Sequence, residues 1–392
     1  MHTLQPTVFC MALDSKTVVS AFYLKPRRVS TIEEYTVFLT RALEREGCKS
    51  VLIFQQPPIA EMMTRFEGTQ PEIEVFDGAN QPANALKFLR LLRKHRPDVV
   101  HYHFYTPFSL LPIIAKAAGA RSVIFTEHVR QPKQFHPAVR LAMRAWDRIV
   151  LAPLGVQMLA VSGHVSRVLT SDFEIAPKRV QVLHNGVNLE RFAPLGELER
   201  EAIRAELNVP AQASVIVCVA WFRAEKGLDD LLRAAQTVIA ARPQAVFVIV
   251  GDGPLEAPLK ELASSLGIAS NVRFTGLRFD VERMMGMADI VAIPSVWQEP
   301  AALVNSEAMA MERPVVATRV GGNPELIDDG VTGRLVEPRA PRQLADAFLE
   351  LLDSPEYMAE LGRAGRRRVA RLFSMDRWIA DTVRILGDSL NN

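Results

Sequence analysis

Two kinds of hydrophobic pattern alternate along the chain. Short apolar runs have the length of a β-strand, and longer segments carry apolar side chains at helical spacing. In the first half, strands are predicted at residues 17–24, 51–54, 99–104 and 122–126, and helices at residues 32–46 and 85–95. In the second half, strands are predicted at residues 215–220, 246–250, 272–275, 290–293 and 315–318, and helices at residues 228–240, 255–266, 281–286, 303–311 and 341–352. Strands that alternate with helices predict parallel sheets covered on both faces.

This alternation is interrupted near the middle of the chain. Residues 182–195 contain Asn185-Gly186 and Pro194, which favour turns and loops. The 392 residues are enough for about two domains. We therefore expect an α/β fold with two doubly wound domains, residues 1–187 and residues 188–373, that face each other across a cleft. Ligands of such sheets bind at the carboxyl ends of the strands, so the cleft is the expected site.

Composition narrows the class of protein. Apolar residues make up 48% and charged residues 23% of the chain, which favours a folded protein over a disordered one. Cys10, Cys48 and Cys218 lie far apart in the sequence. Their spacing predicts neither a disulfide framework nor a cysteine metal site, and a reducing, cytoplasmic compartment is expected. No apolar run approaches the roughly 20 residues of a membrane span, and the N-terminal stretch lacks the pattern of a signal peptide.

Charge is distributed unevenly between the two halves. Residues 1–190 hold 23 Lys and Arg against 16 Asp and Glu, whereas residues 191–392 hold 23 against 28. Scatter between two domains explains this difference, and the alternative is a first domain that meets an anionic partner, such as a membrane surface or a phosphorylated acceptor. Aromatic residues do not interleave with the basic ones, so a nucleic-acid partner is not expected. The basic residues in question are Lys25, Arg27, Arg28, Arg121, Arg130, Lys133, Arg140, Arg144 and Arg148.

Two carboxylates eight residues apart, Glu299 and Glu307, are the strongest candidates for chemistry. The proline after Glu299 suits the start of a helix, which puts Glu299 in the loop after a strand and Glu307 about one turn into the helix. The backbone amides of Ala302, Leu303 and Val304 would then point out of the helix N-terminus, where a diphosphate can bind. Carboxylates are strong acceptors for sugar and ribose hydroxyls. A solvated helix start is the alternative.

Short motifs occur in a fixed order around this pair. They are His184-Asn185-Gly186-Val187 with Arg191-Phe192, Glu225-Lys226-Gly227, Gly251-Asp252-Gly253-Pro254, Ala288-Asp289 with Pro294-Ser295, Glu307-Ala308-Met309-Ala310, Gly321-Gly322-Asn323-Pro324-Glu325, and residues 331–336. In this order they resemble the signature of retaining glycosyltransferases of the GT-B fold, family 4, also described as glycosyl transferases group 1. The resemblance is dense over residues 160–340 and weaker before them. It implies two Rossmann-like domains, a last helix that crosses back to the first domain, and a reaction that needs neither a metal nor a cofactor.

The resemblance also assigns roles to individual residues. It implies that Glu299 contacts hydroxyls of the donor sugar, that Glu307 contacts the ribose and that Lys226 clamps the diphosphate. Gly276 follows the strand where the family holds the nucleotide base through backbone groups. His128 follows the strand predicted at residues 122–126, as does the family histidine that faces the reacting sugar. The alternatives are a surface lysine at Lys226 and a structural histidine at His128.

Three places depart from the family pattern. Trp221 stands where the family has a second phosphate-binding arginine, and Arg223 is the predicted substitute, with a surface ion pair to Glu225 as its alternative. Ser30-Thr31 replace a glycine pair in the first loop, where backbone amides are still predicted to contact the donor. Ala301-Ala302 replace Phe-Gly after Glu299-Pro300.

Two further patterns concern packing. Residues 373–386 carry an apolar stripe at helical spacing, which predicts that the last helix packs on a partner. His101 and His103 alternate along a predicted strand, and one face of this pair is expected to belong to the core.

The leading hypothesis is therefore an enzyme that transfers a sugar from a UDP- or GDP-sugar to an acceptor hydroxyl with retention, in the synthesis of a surface polysaccharide, glycolipid or related glycoconjugate. A cytoplasmic location is expected, with peripheral contact to the inner face of the membrane left open. The chain contains no Asp-x-Asp metal motif. Three alternatives remain: a glycosidase with paired carboxylates, a nucleotide-sugar epimerase of the same fold, and a non-catalytic protein that binds nucleotide sugars.

Overall fold

The structure is a computed structural model that describes residues 13–128, 133–300 and 303–391. The chain divides into two compact units. One unit runs to His184 and resumes at Met375, and the other covers Asn185–Ser374. The sequence-based boundaries after residues 187 and 373 lie within a few residues of these divisions.

The first unit contains a parallel sheet of seven strands in the order β3-β2-β1-β4-β5-β6-β7. Its strands are β1 (Thr17–Phe22), β2 (Lys49–Phe54), β3 (Glu72–Val75), β4 (Val99–His103), β5 (Ser122–Glu127), β6 (Gln157–Ala160) and β7 (Val180–Val182). Its helices before the second unit are α1 (Thr31–Arg45), α2 (Ala60–Arg65), α3 (Ala85–His95), α4 (Leu111–Ala117), α5 (Pro137–Trp146) and α6 (Gly163–Ser171). The strand order reverses between β1 and β4, which is where open α/β sheets bind ligands.

The second unit contains a parallel sheet of six strands in the order β10-β9-β8-β11-β12-β13. Its strands are β8 (Val215–Val219), β9 (Val246–Val250), β10 (Val272–Gly276), β11 (Ile290–Ile293), β12 (Val315–Thr318) and β13 (Arg334–Val336). Its helices are α7 (Glu197–Glu206), α8 (Leu228–Ala241), α9 (Glu256–Ser265), α10 (Val281–Gly286), α11 (Leu303–Ala310), α12 (Asn323–Leu326), α13 (Pro341–Asp353) and α14 (Pro355–Leu372). Here the strand order reverses between β8 and β11.

The last helix, α15 (Met375–Asn391), belongs to the first unit. Its buried Trp378 stacks on Tyr35 of α1, with ring centroids 4.0 Å apart. Arg121 donates a hydrogen bond to the backbone carbonyl of Leu390 at 3.1 Å. The apolar stripe predicted for the C-terminal segment therefore packs on the first unit, as the family resemblance implies.

Buried apolar residues form the interior on both faces of the central strands. All five residues of β9 are buried, as are all five of β4 and all six of β5. This is the pattern of parallel sheets that are covered by helices on both sides. None of the helices in the described ranges is both long enough and apolar enough to cross a membrane.

Candidate functional site

The two strongest sequence candidates of the second unit, Lys226 and Glu299, are in contact. Lys226 lies in the loop after β8 and Glu299 in the loop after β11, the two strands between which the sheet order reverses. The Lys226 ammonium donates to Oε1 of Glu299 at 2.5 Å. The hydroxyl of Ser295 donates to the same oxygen at 2.7 Å. A buried carboxylate, a lysine and a serine therefore meet at the carboxyl edge of this sheet.

Glycines bring the loops of this edge together. Gly227 has φ +63°, and a Cβ atom there would lie 2.1 Å from the carbonyl oxygen of Pro294. The glycine after Lys226 therefore lets the β8 loop lie against the β11 loop, and Val296 donates a backbone hydrogen bond to Glu225 at 3.0 Å. The close contact between the two loops therefore requires the glycine of the Glu-Lys-Gly motif, independently of the charges of its first two residues.

The second loop contact involves the glycine pair after β12. Gly321 has φ +54°, and a Cβ atom there would lie 1.9 Å from the carbonyl oxygen of Glu299. The amide of Gly322 donates to that carbonyl at 2.7 Å, and the amide of Gly321 donates to the side chain of Gln298 at 2.9 Å. The glycine pair therefore fixes the backbone at Glu299.

Glu307 is buried in α11, one turn after the start of that helix. Leu303 and Val304 open the helix and are partly exposed, as expected for residues at a helix N-terminus that borders a site. Ala302, the third predicted amide donor, and its neighbour Ala301 lie outside the described residues. The roles of these residues toward a donor stay predictions.

Gly276 ends β10 with φ +70°, and a Cβ atom there would meet nothing within 4 Å. Its carbonyl accepts a hydrogen bond from Gly251 at 3.0 Å. The neighbouring Leu277 is exposed. Space is therefore open beside the backbone at the position where a nucleotide base is predicted.

Arg223 is a surface arginine paired with Glu225, which was the alternative to its predicted phosphate-binding role. It forms an ion pair with Glu225 at 3.4 Å, and its guanidinium lies over the ring of Trp221 at 4.9 Å from the centroid. Both Trp221 and Arg223 are exposed. The sequence did not predict this cation–π pair. Together with the ion pair, it holds the Arg223 side chain near the end of β8.

In the first unit, His128 comes directly after β5 and is buried. Its Nε2 atom lies 3.1 Å from Nδ1 of His103, and Phe104 stacks on its ring with centroids 4.2 Å apart. Burial lowers the pKa of His128 to about 3. The imidazole is therefore neutral at physiological pH and can take part in hydrogen bonds as a donor at one nitrogen and an acceptor at the other.

The expectation that one face of the His101–His103 pair belongs to the core is confirmed, and that face carries both side chains. Both rings are fully buried on the same side of β4, with centroids 4.0 Å apart. Residues two apart along a strand share a face, so the two side chains could not be separated. His101 contacts the Thr126 hydroxyl at 2.7 Å, and burial lowers its pKa to about 3.

Ser30 and Thr31 form the start of α1. The Ser30 side chain caps the helix, and the Ser30 amide donates to the carboxylate of Glu33 at 3.0 Å. The amide of Ser30, one of those predicted to contact a donor, is thus engaged inside a capping box, and Glu33 and Glu34 place two acidic side chains in the first turn. The buried Thr31 is the first helical residue.

The structure also adds residues that the sequence pattern did not single out. Ser295 and His103 contact the predicted site residues Glu299 and His128 directly. Ser295 belongs to the Pro-Ser motif after β11, and His103 is the last residue of β4, so both follow from the rule that strand ends carry the site. No group of three or more His, Cys, Asp or Glu side chains suited to a metal ion occurs in the described parts of the chain.

Comparison with known proteins agrees with this geometry. A family model described as "Glycosyl transferases group 1" matches residues 199–368, and one described as "Glycosyltransferase Family 4" matches residues 32–191. A GDP-mannose-dependent alpha-(1-6)-phosphatidylinositol monomannoside mannosyltransferase of Mycolicibacterium smegmatis is 31% identical over 76% of this chain and 77% of its own length. The chain belongs to glycosyltransferase family 4. It is thus a glycosyltransferase of enzyme class EC 2.4.

Another relative extends the match over almost the whole length. A GDP-mannose-dependent monoacylated alpha-(1-6)-phosphatidylinositol monomannoside mannosyltransferase of Corynebacterium glutamicum is 29% identical over 97% of this chain and 98% of its own. The GT-B fold of this family 4 glycosyltransferase matches a glycosyltransferase of Rickettsia africae with a TM-score of 0.81, at 21% identity over 96% of this chain and 99% of the other. Anabaena HepE in complex with UDP matches with a TM-score of 0.78, at 21% identity over 95% and 100%.

Proposed function

We propose that this glycosyltransferase moves a sugar from a UDP- or GDP-sugar to an acceptor hydroxyl with retention of the anomeric configuration. The observation that carries the proposal is the contact between Lys226 and Glu299 where the strand order of the second unit reverses. The relatives from Corynebacterium and Mycolicibacterium are named as GDP-mannose-dependent enzymes, and HepE has been solved with UDP and with UDP-glucose. These names support a nucleoside diphosphate sugar as the donor.

Stabilisation of the departing diphosphate is the main task of the site. In the proposal, the Lys226 ammonium and the backbone amides at the start of α11 face the charge that develops on the leaving group, and such preorganised groups supply much of the catalysis in enzymes. Arg223 adds a second cation when it leaves its ion pair with Glu225. The donor phosphate itself takes the proton of the acceptor hydroxyl, so no side chain serves as the general base.

The remaining site residues orient the donor. Glu299 accepts hydrogen bonds from hydroxyls of the transferred sugar, and Glu307 accepts them from the ribose. Gly276 leaves room for the base beside its backbone. His128, which burial keeps neutral, hydrogen-bonds the reacting sugar without adding a charge. The ribose and diphosphate contacts are common to UDP and GDP, so both donor types belong in the test.

The reaction needs no metal ion in this proposal. Lys226 and the helix amides provide the positive charge that a divalent cation supplies in other glycosyltransferases. Turnover should therefore persist in excess EDTA. Loss of turnover in EDTA and its recovery with Mn²⁺ or Mg²⁺ would contradict this part of the mechanism.

Peripheral contact of the first unit with an anionic membrane is the proposed route to a lipid-linked or glycolipid acceptor. Helix α5 has no buried residue in its described length. Leu141 is 67% exposed on α5, and Ile149, just after it, is 73% exposed. Arg144 and Arg148 lie close to them in sequence and are exposed, although Arg144 pairs with Glu174. Exposed apolar side chains beside arginines suit the interface of an anionic bilayer. Arg130 of the basic group lies outside the described residues.

A donor panel tests the enzymatic proposal. GDP-mannose, UDP-glucose and other nucleotide sugars are supplied with a panel of acceptors, and release of the nucleoside diphosphate is followed while NMR records the anomeric configuration of the product. An α-configured product from an α-configured donor is expected. An inverted product would contradict retention, and binding of nucleotide sugars without any turnover would support a non-catalytic protein.

A vesicle assay tests the membrane proposal separately. The protein should sediment with vesicles that contain phosphatidylglycerol and not with pure phosphatidylcholine vesicles. Leu141→Glu should weaken this association, whereas Leu198→Glu, at an exposed leucine of the second unit, serves as the matched control. Equal sedimentation of both variants and the wild type would contradict the assignment of α5.

A further inference from the structure

The carboxylate of Glu299 is held by one of its two oxygens. Lys226 and Ser295 both donate to Oε1. Among the described residues, none donates a hydrogen bond to Oε2. Within the described parts of the chain, the protein therefore contacts this carboxylate through one oxygen only.

Ser295 is the more buried of the two donors. Its residue is 2% exposed, whereas the Lys226 side chain is 34% exposed. A serine hydroxyl has one proton to donate, and in Ser295 this proton goes to Glu299. Lysine has three donors and is predicted to share them with a diphosphate. Once a donor substrate has bound, Ser295 is therefore the contact that continues to fix the orientation of Glu299.

A chain of buried polar residues supports Ser295 from behind. The Thr318 hydroxyl donates to the backbone carbonyl of Ser295. The Asn323 side-chain amide donates to the backbone carbonyl of Thr318 at 2.9 Å. The Asn305 side-chain amide donates to the side-chain oxygen Oδ1 of Asn323 at 2.8 Å. These three residues are between 0% and 3% exposed. Asn305 lies on α11, so the chain connects the helix that carries Glu307 to the loop that carries Glu299.

The burial of these polar groups costs free energy that the burial of apolar side chains does not. Buried polar groups destabilise a fold unless they are hydrogen-bonded, and a fully connected network favours one geometry. Apolar side chains would fill the same space without that requirement. Four polar residues from different segments, each hydrogen-bonded to the next, indicate that the position of the loop after β11 matters.

We propose that Ser295 is a positioning residue that holds Glu299 with its Oε2 atom toward the donor sugar, and that Thr318, Asn323 and Asn305 form the scaffold that fixes Ser295. The inference rests on the proposed function, because it gives Glu299 a sugar hydroxyl as its ligand. A misdirected Glu299 weakens the interaction with the reacting sugar and leaves the nucleotide contacts unchanged. Ser295 is thus expected to affect kcat and not the affinity for the free nucleotide.

The test compares Ser295→Ala with the wild type in turnover of the donor found in the panel and in the Kd for its nucleoside diphosphate. Loss of a hydrogen bond to a charged group predicts a kcat lower by roughly tenfold or more, with a Kd that stays within about twofold. Ser389→Ala is the matched control, since Ser389 is a buried serine that donates to a backbone carbonyl, also at 2.7 Å, in the last helix of the first unit. That control should keep the wild-type kcat.

The outcomes separate the inference from the proposed function. A wild-type kcat in Ser295→Ala, together with a reduced kcat in Glu299→Gln, would overturn the role of Ser295 alone. A wild type that transfers no sugar from any donor would overturn the proposed function and the inference with it. If Ser295→Ala does not fold, Ser295→Cys keeps the shape with a weak S–H donor and should show the reduced kcat at unchanged Kd. A wild-type kcat in that variant would likewise overturn the inference.

Discussion

A single methyl group added at Gly321 should inactivate the enzyme. The backbone at Gly321 lies against the peptide of Glu299, and a Cβ atom there would sit 1.9 Å from the Glu299 carbonyl oxygen and 2.6 Å from its nitrogen. Real Cβ atoms do not approach closer than about 3.0 Å to other heavy atoms, so one of the two backbones must move by more than about 1 Å. The displaced segment carries the carboxylate that we assign to the donor sugar.

The size of the effect follows from this displacement. Misplacement of a catalytic group by about 1 Å costs on the order of 100-fold in rate, or about 2.7 kcal/mol in activation free energy. The left-handed backbone conformation at φ +54° adds about 1–2 kcal/mol of destabilisation for any residue with a Cβ atom. Gly321→Ala is therefore expected to lower kcat about 100-fold and also to lower the melting temperature.

Gly267→Ala separates these two effects. Gly267 lies in the same unit with φ +72°, and a Cβ atom there would meet nothing within 4 Å. This variant should lose stability only because a residue with a Cβ atom disfavours the left-handed backbone conformation, and it should keep its kcat. Both variants are assayed for release of nucleoside diphosphate after their folding has been checked by circular dichroism. A folded Gly321→Ala protein with the kcat of Gly267→Ala would refute the reasoning.

Four further predictions follow from the site and the fold. Glu307→Ala should weaken binding of the free nucleotide by about ten- to 150-fold in a calorimetric titration, because a charged hydrogen bond is lost; unchanged affinity would remove Glu307 from the ribose site. Arg223→Ala should lower kcat at least about tenfold and Lys226→Ala should lower it more, since both cations act on the leaving group; a near-normal kcat in the first variant would leave Arg223 as an exposed ion pair worth about 0–1 kcal/mol. A chain that ends at residue 373 should bind an apolar dye through the surface that Trp378 and its helix cover, and a soluble, fully active truncation would show that α15 is dispensable. The free energy of unfolding should fall as the pH drops from about 7 toward 3, because the pKa of His128 is lowered from an ordinary value of about 6.5 to about 3 and the unfolded state then binds the extra proton; equal melting temperatures at pH 7.5 and pH 5 would contradict the burial of that histidine in neutral form.

Much of the fold could be predicted because most of the buried parallel strands are runs of apolar residues. The strands at residues 246–250, 290–293 and 315–318 and the helix at residues 85–95 have the bounds that the pattern predicts. The short strands β3, β6, β7 and β13 were not predicted. Three of them, β3, β7 and β13, lie at the edges of their sheets, and β3 carries two glutamates in four residues, so these three lack the apolar run of a central strand.

Long polar helices were also missed. Helix α14 covers 18 residues, of which only four are buried, and its arginines hide the helical period. The capping box of Ser30 and Glu33 was available in the sequence as the spacing Ser-x-x-Glu, and it would have shown that the Ser30 amide is engaged within its own helix.

For the site, the sequence could identify residue types and strand ends but not contacts. The adjacency of Lys226 and Glu299, 73 positions apart, follows from the order in which β8 and β11 pair, which the local pattern does not contain. The role of Ser295 and the ion pair of Arg223 depend on side-chain positions in the same way.

The account is tested most directly by the rate at which nucleoside diphosphate is released from GDP-mannose and UDP-glucose, in EDTA, by the wild type and by Glu299→Gln. The account predicts turnover of at least one donor by the wild type and a rate lower by about tenfold or more in the variant, because the neutral amide accepts a weaker hydrogen bond from the sugar than the carboxylate does. Equal rates for the two proteins, or no release from any donor by the wild type, would contradict it.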